Sequence, residues 1–252
     1  MRVALVTGGG RGIGRAIARA LGGPGTLVAI AARTSQQLES TAREIEGLGG
    51  RAVPIEMDVS IDSAVEEGVK GLRAAVDHVD ILVNNAGVGG GEPIVGSDVS
   101  RWRQTLDTNV VGTYLVTREV LPLMTAGGRI VNISSVLGRF GVPGYTAYCA
   151  AKHAVIGFTR ALALEVAGQQ ITVNAICPGW VDTDMAAAGM RLGAAATGRT
   201  YEEFREHALS AVPIQRIIQP DEVAELVRFL AGPGASAITG QAYNICGGQT
   251  MD

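Results

Sequence analysis

The 252-residue sequence is poor in the side chains that staple or metallate small proteins. Its three cysteines, Cys149, Cys177 and Cys246, are odd in number and form no C-x-x-C pair. That argues against a disulfide framework or a cysteine-based zinc site, and fits a reducing cytoplasm. His78, His153 and His207 are too scattered for a metal site, so no metal is expected. Neither sign of charge dominates: 21 Lys and Arg against 24 Asp and Glu leave a net −3, with no run of five like charges. Nothing here favours a nucleic-acid or anionic-membrane surface. No apolar run approaches the ~20 residues of a membrane span. Arg2 runs straight into Val3–Thr7 and a glycine cluster, which leaves no room for a targeting segment. The Gly-x-Ser-x-Gly elbow of serine hydrolases is missing as well. The expectation is a soluble cytoplasmic protein that binds neither nucleic acid nor membrane.

What is present is an alternation of short β-branched runs and longer helical stretches. Val3–Thr7, Thr26–Ala32, Ala52–Met57, Ile81–Asn84, Arg129–Ser134, Ile171–Ile176 and Ala242–Ile245 read as strands. Gly12–Leu21, Ser35–Leu48, Asp62–Val76, Trp102–Met124, Tyr145–Val166 and Asp221–Leu230 carry helical spacing. Such alternation predicts an α/β fold: one Rossmann-type, doubly wound parallel sheet of about seven strands with helices on both faces. The whole chain, 1–252, reads as a single dinucleotide-binding and catalytic domain. Residues 184–212, rich in Ala and Gly and late in the chain, follow a strand end. Ligands of open α/β sheets lie outside the carboxyl ends of the strands, so this stretch is expected to be a substrate lid.

Thr7-Gly8-Gly9-Gly10-Arg11-Gly12-Ile13-Gly14 joins the first strand to the first helix. Glycines let backbone approach a pyrophosphate, and a helix N-terminus offers it unpaired amides. A Walker A loop is excluded, because Arg15-Ala16 stand where that motif has Lys and Ser/Thr. Tyr148 and Lys152 lie four apart on a predicted helix and share a face. A phenol ordinarily titrates near pH 10, too high for easy proton exchange, and a neighbouring ammonium lowers that value. Ser135 follows the fifth strand, where it can join them.

These motifs, in this order, resemble the short-chain dehydrogenase/reductase family over essentially the entire chain. The carriers are Thr-Gly-x-x-x-Gly-Ile-Gly, Asn84-Asn85-Ala86-Gly87, Asn109, Ser135, the Tyr148-x-x-x-Lys152 pair, and Pro178-Gly179 with Thr183. The resemblance implies a catalytic set of Asn109, Ser135, Tyr148 and Lys152. There the serine hydrogen-bonds the substrate oxygen and the tyrosine moves the proton. The lysine also holds the nicotinamide ribose, and the asparagine supports a water linking the lysine to solvent. It implies cofactor contacts from Thr7, Gly8, Arg11, Gly12, Ile13, Gly14, Asp58, Val59, Asn85, Ala86, Gly87, Pro178, Gly179, Val181 and Thr183, besides Tyr148 and Lys152. The second strand ends in Arg33 with no carboxylate, which favours the extra phosphate of NADP(H) over NAD(H). Enoyl reductases of related fold have a longer Tyr-to-Lys interval.

The expected activity is NADPH-dependent reduction of a ketone, with Tyr148 as general acid. The nearest likeness is to 3-oxoacyl-thioester reductases and to bacterial aromatic polyketide ketoreductases. Tyr148–Val173, Pro178–Met185, Pro233–Gly248, Gly89-Gly90-Gly91 and the long lid before Pro213 resemble the polyketide enzymes. An acyl carrier protein is an implied partner. Arg129 stands where such reductases dock it, but Gln169-Gln170 replace a second basic residue. Homotetramers are usual in the family, packed through the Trp102–Met124 and Tyr145–Val166 helices. Two alternatives stay open: a carbonyl reductase or alcohol dehydrogenase for free small molecules, and a dinucleotide-binding sensor without turnover.

Overall fold

In the computed structural model, which describes residues 1–251, the β-branched runs become seven parallel strands of one sheet. They are β1 (Arg2–Thr7), β2 (Thr26–Ala32), β3 (Arg51–Glu56), β4 (Val79–Asn84), β5 (Met124–Ile133), β6 (Thr172–Pro178) and β7 (Ala242–Ile245). Their spatial order is β3-β2-β1-β4-β5-β6-β7. After β3 the chain crosses to the far side of β1, so the direction of winding reverses between β1 and β4. A crevice opens there, outside the carboxyl ends of both strands.

The helices are α1 (Gly12–Leu21), α2 (Ser35–Gly47), α3 (Asp62–Ala75), α4 (Val99–Leu106), α5 (Gly112–Val120), α6 (Thr146–Val166), α7 (Asp184–Thr197), α8 (Tyr201–Ser210) and α9 (Pro220–Leu230). Two cores flank the sheet. Ile17, Leu38, Ile45, Val223, Val227 and Leu230 bring α1, α2 and α9 onto one face. Val65, Leu72, Leu115, Val116, Leu162 and Val166 bring α3, α5 and α6 onto the other. Strands covered on both faces need apolar residues at successive positions, which is why Leu5, Val6, Val28, Ala29, Leu82 and Val83 are all sealed from solvent.

The expected helix over Trp102–Met124 is not continuous. It starts earlier, at α4, where Asp98 accepts the Ser100 amide, passes through a π-helical turn at Asp107–Val111, and resumes as α5. A 3-10 turn at Leu121–Leu123 holding Pro122 ends it, and Met124 already belongs to β5. The stretch 184–212 is ordered into α7 and α8. Thr183 caps α7, Gly198 ends it at φ +65°, and Thr200 with Glu203 forms a capping box for α8.

Candidate active site

The glycine turn is shaped by close approach. Gly12 sits at φ +53°, and a Cβ on Gly14 would lie 2.1 Å from the Gly8 carbonyl oxygen. The first turn of α1 therefore packs against the end of β1 with no side chain between them. Arg11, at the N-cap, supplies no capping hydrogen bond, and the first turn carries no acid. Its amides remain available to an anion. Thr183 faces this turn, since a Cβ on Gly12 would lie 3.4 Å from its Cγ2.

Thr7, Asn85 and Ala86 brace the crevice. The Thr7 hydroxyl accepts the amides of Asn85 and Ala86, each at 3.0 Å, and Asn85 Nδ2 donates to the Thr7 carbonyl at 2.9 Å. The Thr7 hydroxyl is therefore committed to tying β1 to the loop after β4. Val59 is buried beneath Gly112. Gly179 donates its amide to Ile245, and Val181 is buried. Arg33, exposed at the end of β2, lies 3.7 Å from Asp58. Partial burial works against the Asp58 charge. Hydrogen bonds from the Ser60 hydroxyl and amide, with Arg33 beside it, outweigh that and hold its carboxyl below the usual range.

At the carboxyl end of β5 the expected catalytic residues converge. Ser135, two residues past the end of β5, caps a 3-10 turn and accepts the Leu137 amide. Lys152, buried on α6, donates from Nζ to the Ile133 carbonyl at 2.9 Å and lies 5.5 Å from the centre of the Tyr148 ring. Asn109 occupies the π-helical turn. Its Nδ2 donates to the carbonyls of Thr105 and Val88, while its buried Oδ1 has no partner. A Cβ on Gly87 would fall 2.6 Å from that oxygen and 3.6 Å from Lys152 Nζ. An unpaired acceptor and an ammonium thus face one small space, which suits a hydrogen-bonding guest between them.

Tyr148 does not titrate as the Lys152 spacing predicts. Although part of the side chain stays accessible, the atoms crowded around the phenol push its pKa up to about 12, and a hydrogen bond with Ser135 only partly offsets this. Burial pulls Lys152 down to about 8. In the protein alone, desolvation is the largest influence on both groups, and the phenol gains no lowering from Lys152.

Four side chains escaped the sequence reading. Ser134 donates to the Lys152 carbonyl at 2.8 Å, pinning α6 to β5. Met185 of α7 packs toward Gly89 and Tyr148, and Trp180 and Tyr145 flank Gly189. These contacts bring α7 beside the Gly89 loop and the Tyr145 ring. Tyr145 carried a signal, being three residues before Tyr148 on one helix. Arg129 departs from the docking role the resemblance implies. It is 7% exposed, and its Nη1 donates to the Gly127 and Gly128 carbonyls. The mouth lies at the end of β5, and Arg129 is several residues short of it.

A family model described as enoyl-(acyl carrier protein) reductase matches residues 8–250. A 3-oxoacyl-[acyl-carrier-protein] reductase of Synechocystis sp. is 39% identical over 99% of this chain and 97% of its own length. A protein of the same activity name from Pseudomonas aeruginosa is 38% identical over 99% and 98%. An actinorhodin polyketide ketoreductase variant, solved with NADPH, superposes with a TM-score of 0.93 at 43% identity, covering 98% of this chain and 97% of that one.

Proposed function

Given that the chain belongs to the short-chain dehydrogenase/reductase family and is an oxidoreductase acting on C=O and CH–OH groups, we propose that it reduces the ketone of a 3-oxoacyl thioester or polyketide-like substrate, using NADPH, with Tyr148 as general acid. The observation that carries this reading is the convergence of Ser135, Tyr148, Lys152 and the unpaired Asn109 Oδ1 beside the glycine-lined crevice. The relatives' names support a ketoacyl substrate rather than an enoyl one.

The crevice fits a dinucleotide. The open first turn of α1 faces Thr183, and glycines at 12, 14 and 87 leave the space that a Cβ would fill. The amides of Gly12, Ile13 and Gly14 would hold the pyrophosphate. Arg11 and Arg33 would take the 2′-phosphate, Asp58 and Val59 would contact the adenine, and Lys152 and Tyr148 the nicotinamide ribose. The remaining contacts come from Gly8, the Asn85-Ala86-Gly87 loop, Pro178-Gly179 and Val181. When bound, the nicotinamide supplies a hydride to the carbonyl carbon. Ser135 Oγ donates a hydrogen bond to the carbonyl oxygen, and Tyr148 gives that oxygen its phenolic proton. A phenol held near 12 is fully protonated at neutral pH and so is ready as an acid. Lys152, with a pKa of about 8, is matched to return a proton from solvent. Asn109 Oδ1 would anchor the water that connects them.

Relatives named for acyl-carrier-protein substrates support a carrier-bound thioester. A homotetramer is supported by an exposed apolar stripe on α6, Ala150, Ala154, Gly157, Ala161 and Leu164, beside exposed Val111 and Tyr114 near α5. Three unbridged, buried cysteines accord with the cytoplasm. Steady-state NADPH oxidation with a 3-oxoacyl thioester and with a free cyclic ketone tests the substrate class. The proposal expects kcat/KM at least tenfold higher for the thioester, and the reverse preference would favour a carbonyl reductase of free small molecules. Arg33→Asp is expected to lower the NADPH/NADH preference at least tenfold; an unchanged ratio would remove Arg33 from cofactor choice.

A further inference from the structure

The mouth of the cleft holds a second phenol that the reaction above does not use. Tyr145 stands at the N-cap of α6, one helical turn before Tyr148, so the two rings leave a shared side of the helix. Three elements fix its place. A Cβ on Gly91 would lie 2.9 Å from Tyr145 Cε2, and one on Gly189 would lie 3.7 Å from Tyr145 Oη, next to Trp180. The ring thus reaches from the glycine loop to helix α7, and the missing side chain at 91 makes room for it. The Glu92 amide donates to the Gly144 carbonyl at 2.7 Å, pinning that loop to the turn that carries Tyr145.

Tyr145 is partly buried, and its hydroxyl has no hydrogen-bond partner among the described residues. Tyr148 and Tyr145 also sense one another electrostatically. A phenol enclosed on its flanks with a free hydroxyl, directed to the same cleft as the proton donor, is a donor waiting for an acceptor. A site that offers a hydroxyl to a ligand oxygen favours a ligand that has that oxygen over one that lacks it.

We propose that Tyr145 is a specificity-determining residue whose hydroxyl donates to the second carbonyl of a 1,3-dicarbonyl substrate while Tyr148 serves the carbonyl being reduced. Two donors on successive turns of one helix answer two oxygens two carbons apart; a monoketone uses one of them. The inference rests on the ketoreductase reading above and names the contact that selects its substrate.

Tyr145→Phe keeps the ring between Gly91 and Gly189 and removes only the hydroxyl. NADPH oxidation is measured for wild type and variant with the acetoacetyl thioester of N-acetylcysteamine and with cyclohexanone. The ratio of kcat/KM, thioester over cyclohexanone, is expected to fall about five- to tenfold in the variant, mostly through KM, as one neutral hydrogen bond warrants. An unchanged ratio overturns the proposal, whether both substrates are lost together or neither is. Wild-type protein that reduces cyclohexanone and not the thioester overturns it at its premise, and does so before the variant is assayed.

Discussion

Lys152 carries a local cost in the site. Its ammonium is sealed inside the protein, with the Ile133 carbonyl as its one hydrogen-bond partner among the described residues, and its pKa falls from 10.5 to about 8. A lysine whose folded pKa lies below its unfolded one is destabilising wherever it is charged in both states, below about pH 8. The penalty fades as pH rises and is gone above the unfolded value. The shift corresponds to roughly 3 kcal/mol at most. Lys152→Met is therefore expected to raise Tm at pH 7 and to raise it less at pH 10, while turnover is lost. A Tm that drops at both pH values would mean that packing, not charge, governs the position. On the proposed reading, a proton-relaying lysine is kept at the expense of stability.

At the scale of elements, a buried polar strut ties the helices that carry the site to the sheet. Asn84 Nδ2 donates to Thr117 Oγ1 and to Asn132 Oδ1, both at 2.9 Å, and Asn132 Nδ2 donates to Thr159 Oγ1. Thr117 and Thr113 continue the chain to the Asn109 carbonyl. Asn132→Ala removes the central member from a site with no solvent access, leaving Asn84 Nδ2 without one of its two acceptors, Thr159 Oγ1 without its donor, and a small cavity. It is expected to cost about 2–4 kcal/mol, read from the shift of the urea midpoint at constant m. Turnover should fall more than cofactor affinity, since α5 and α6 would lose their shared anchor. A shift below about 0.5 kcal/mol would deny the strut its role. The same region shows where sequence reading stops. β2, β7 and α1 match their expected bounds, because their hydrophobic runs end at clear glycine or polar signals. The spacing over Trp102–Met124 gives no warning of the π-helical turn, which is set by Asn109 turning its side chain onto the Thr105 and Val88 carbonyls. Thr183, Gly198, Thr200 and Glu203 cap α7 and α8, signals that the reading of 184–212 as an Ala- and Gly-rich lid did not use.

For the whole molecule, the reversal of winding between β1 and β4 places the glycine turn, the Asn85-Ala86-Gly87 loop and the end of β5 around one crevice. The proposed catalytic motifs were legible because each is a short local signature, after a strand for Ser135 and on helical turns for Asn109 and the Tyr148-x-x-x-Lys152 pair. What they form together depends on strand order, and so does the burial that reverses the expected pKa of Tyr148. The apolar stripe along α6 is the matching feature on the outside. Ala154→Arg puts a long cation into it and is expected to reduce a tetramer, seen by light scattering, to smaller species. An unchanged mass would place the subunit contacts elsewhere.

The central claim is that Tyr148 delivers the proton that completes ketone reduction. Tyr148→Phe tests it most directly, with NADPH oxidation on a 3-oxoacyl thioester and NADPH affinity measured side by side. The account predicts that kcat falls by at least about 10³-fold, within the range for losing a positioned proton donor, while NADPH still binds within a few-fold of wild type. Turnover near the wild-type rate, with binding intact, would contradict it.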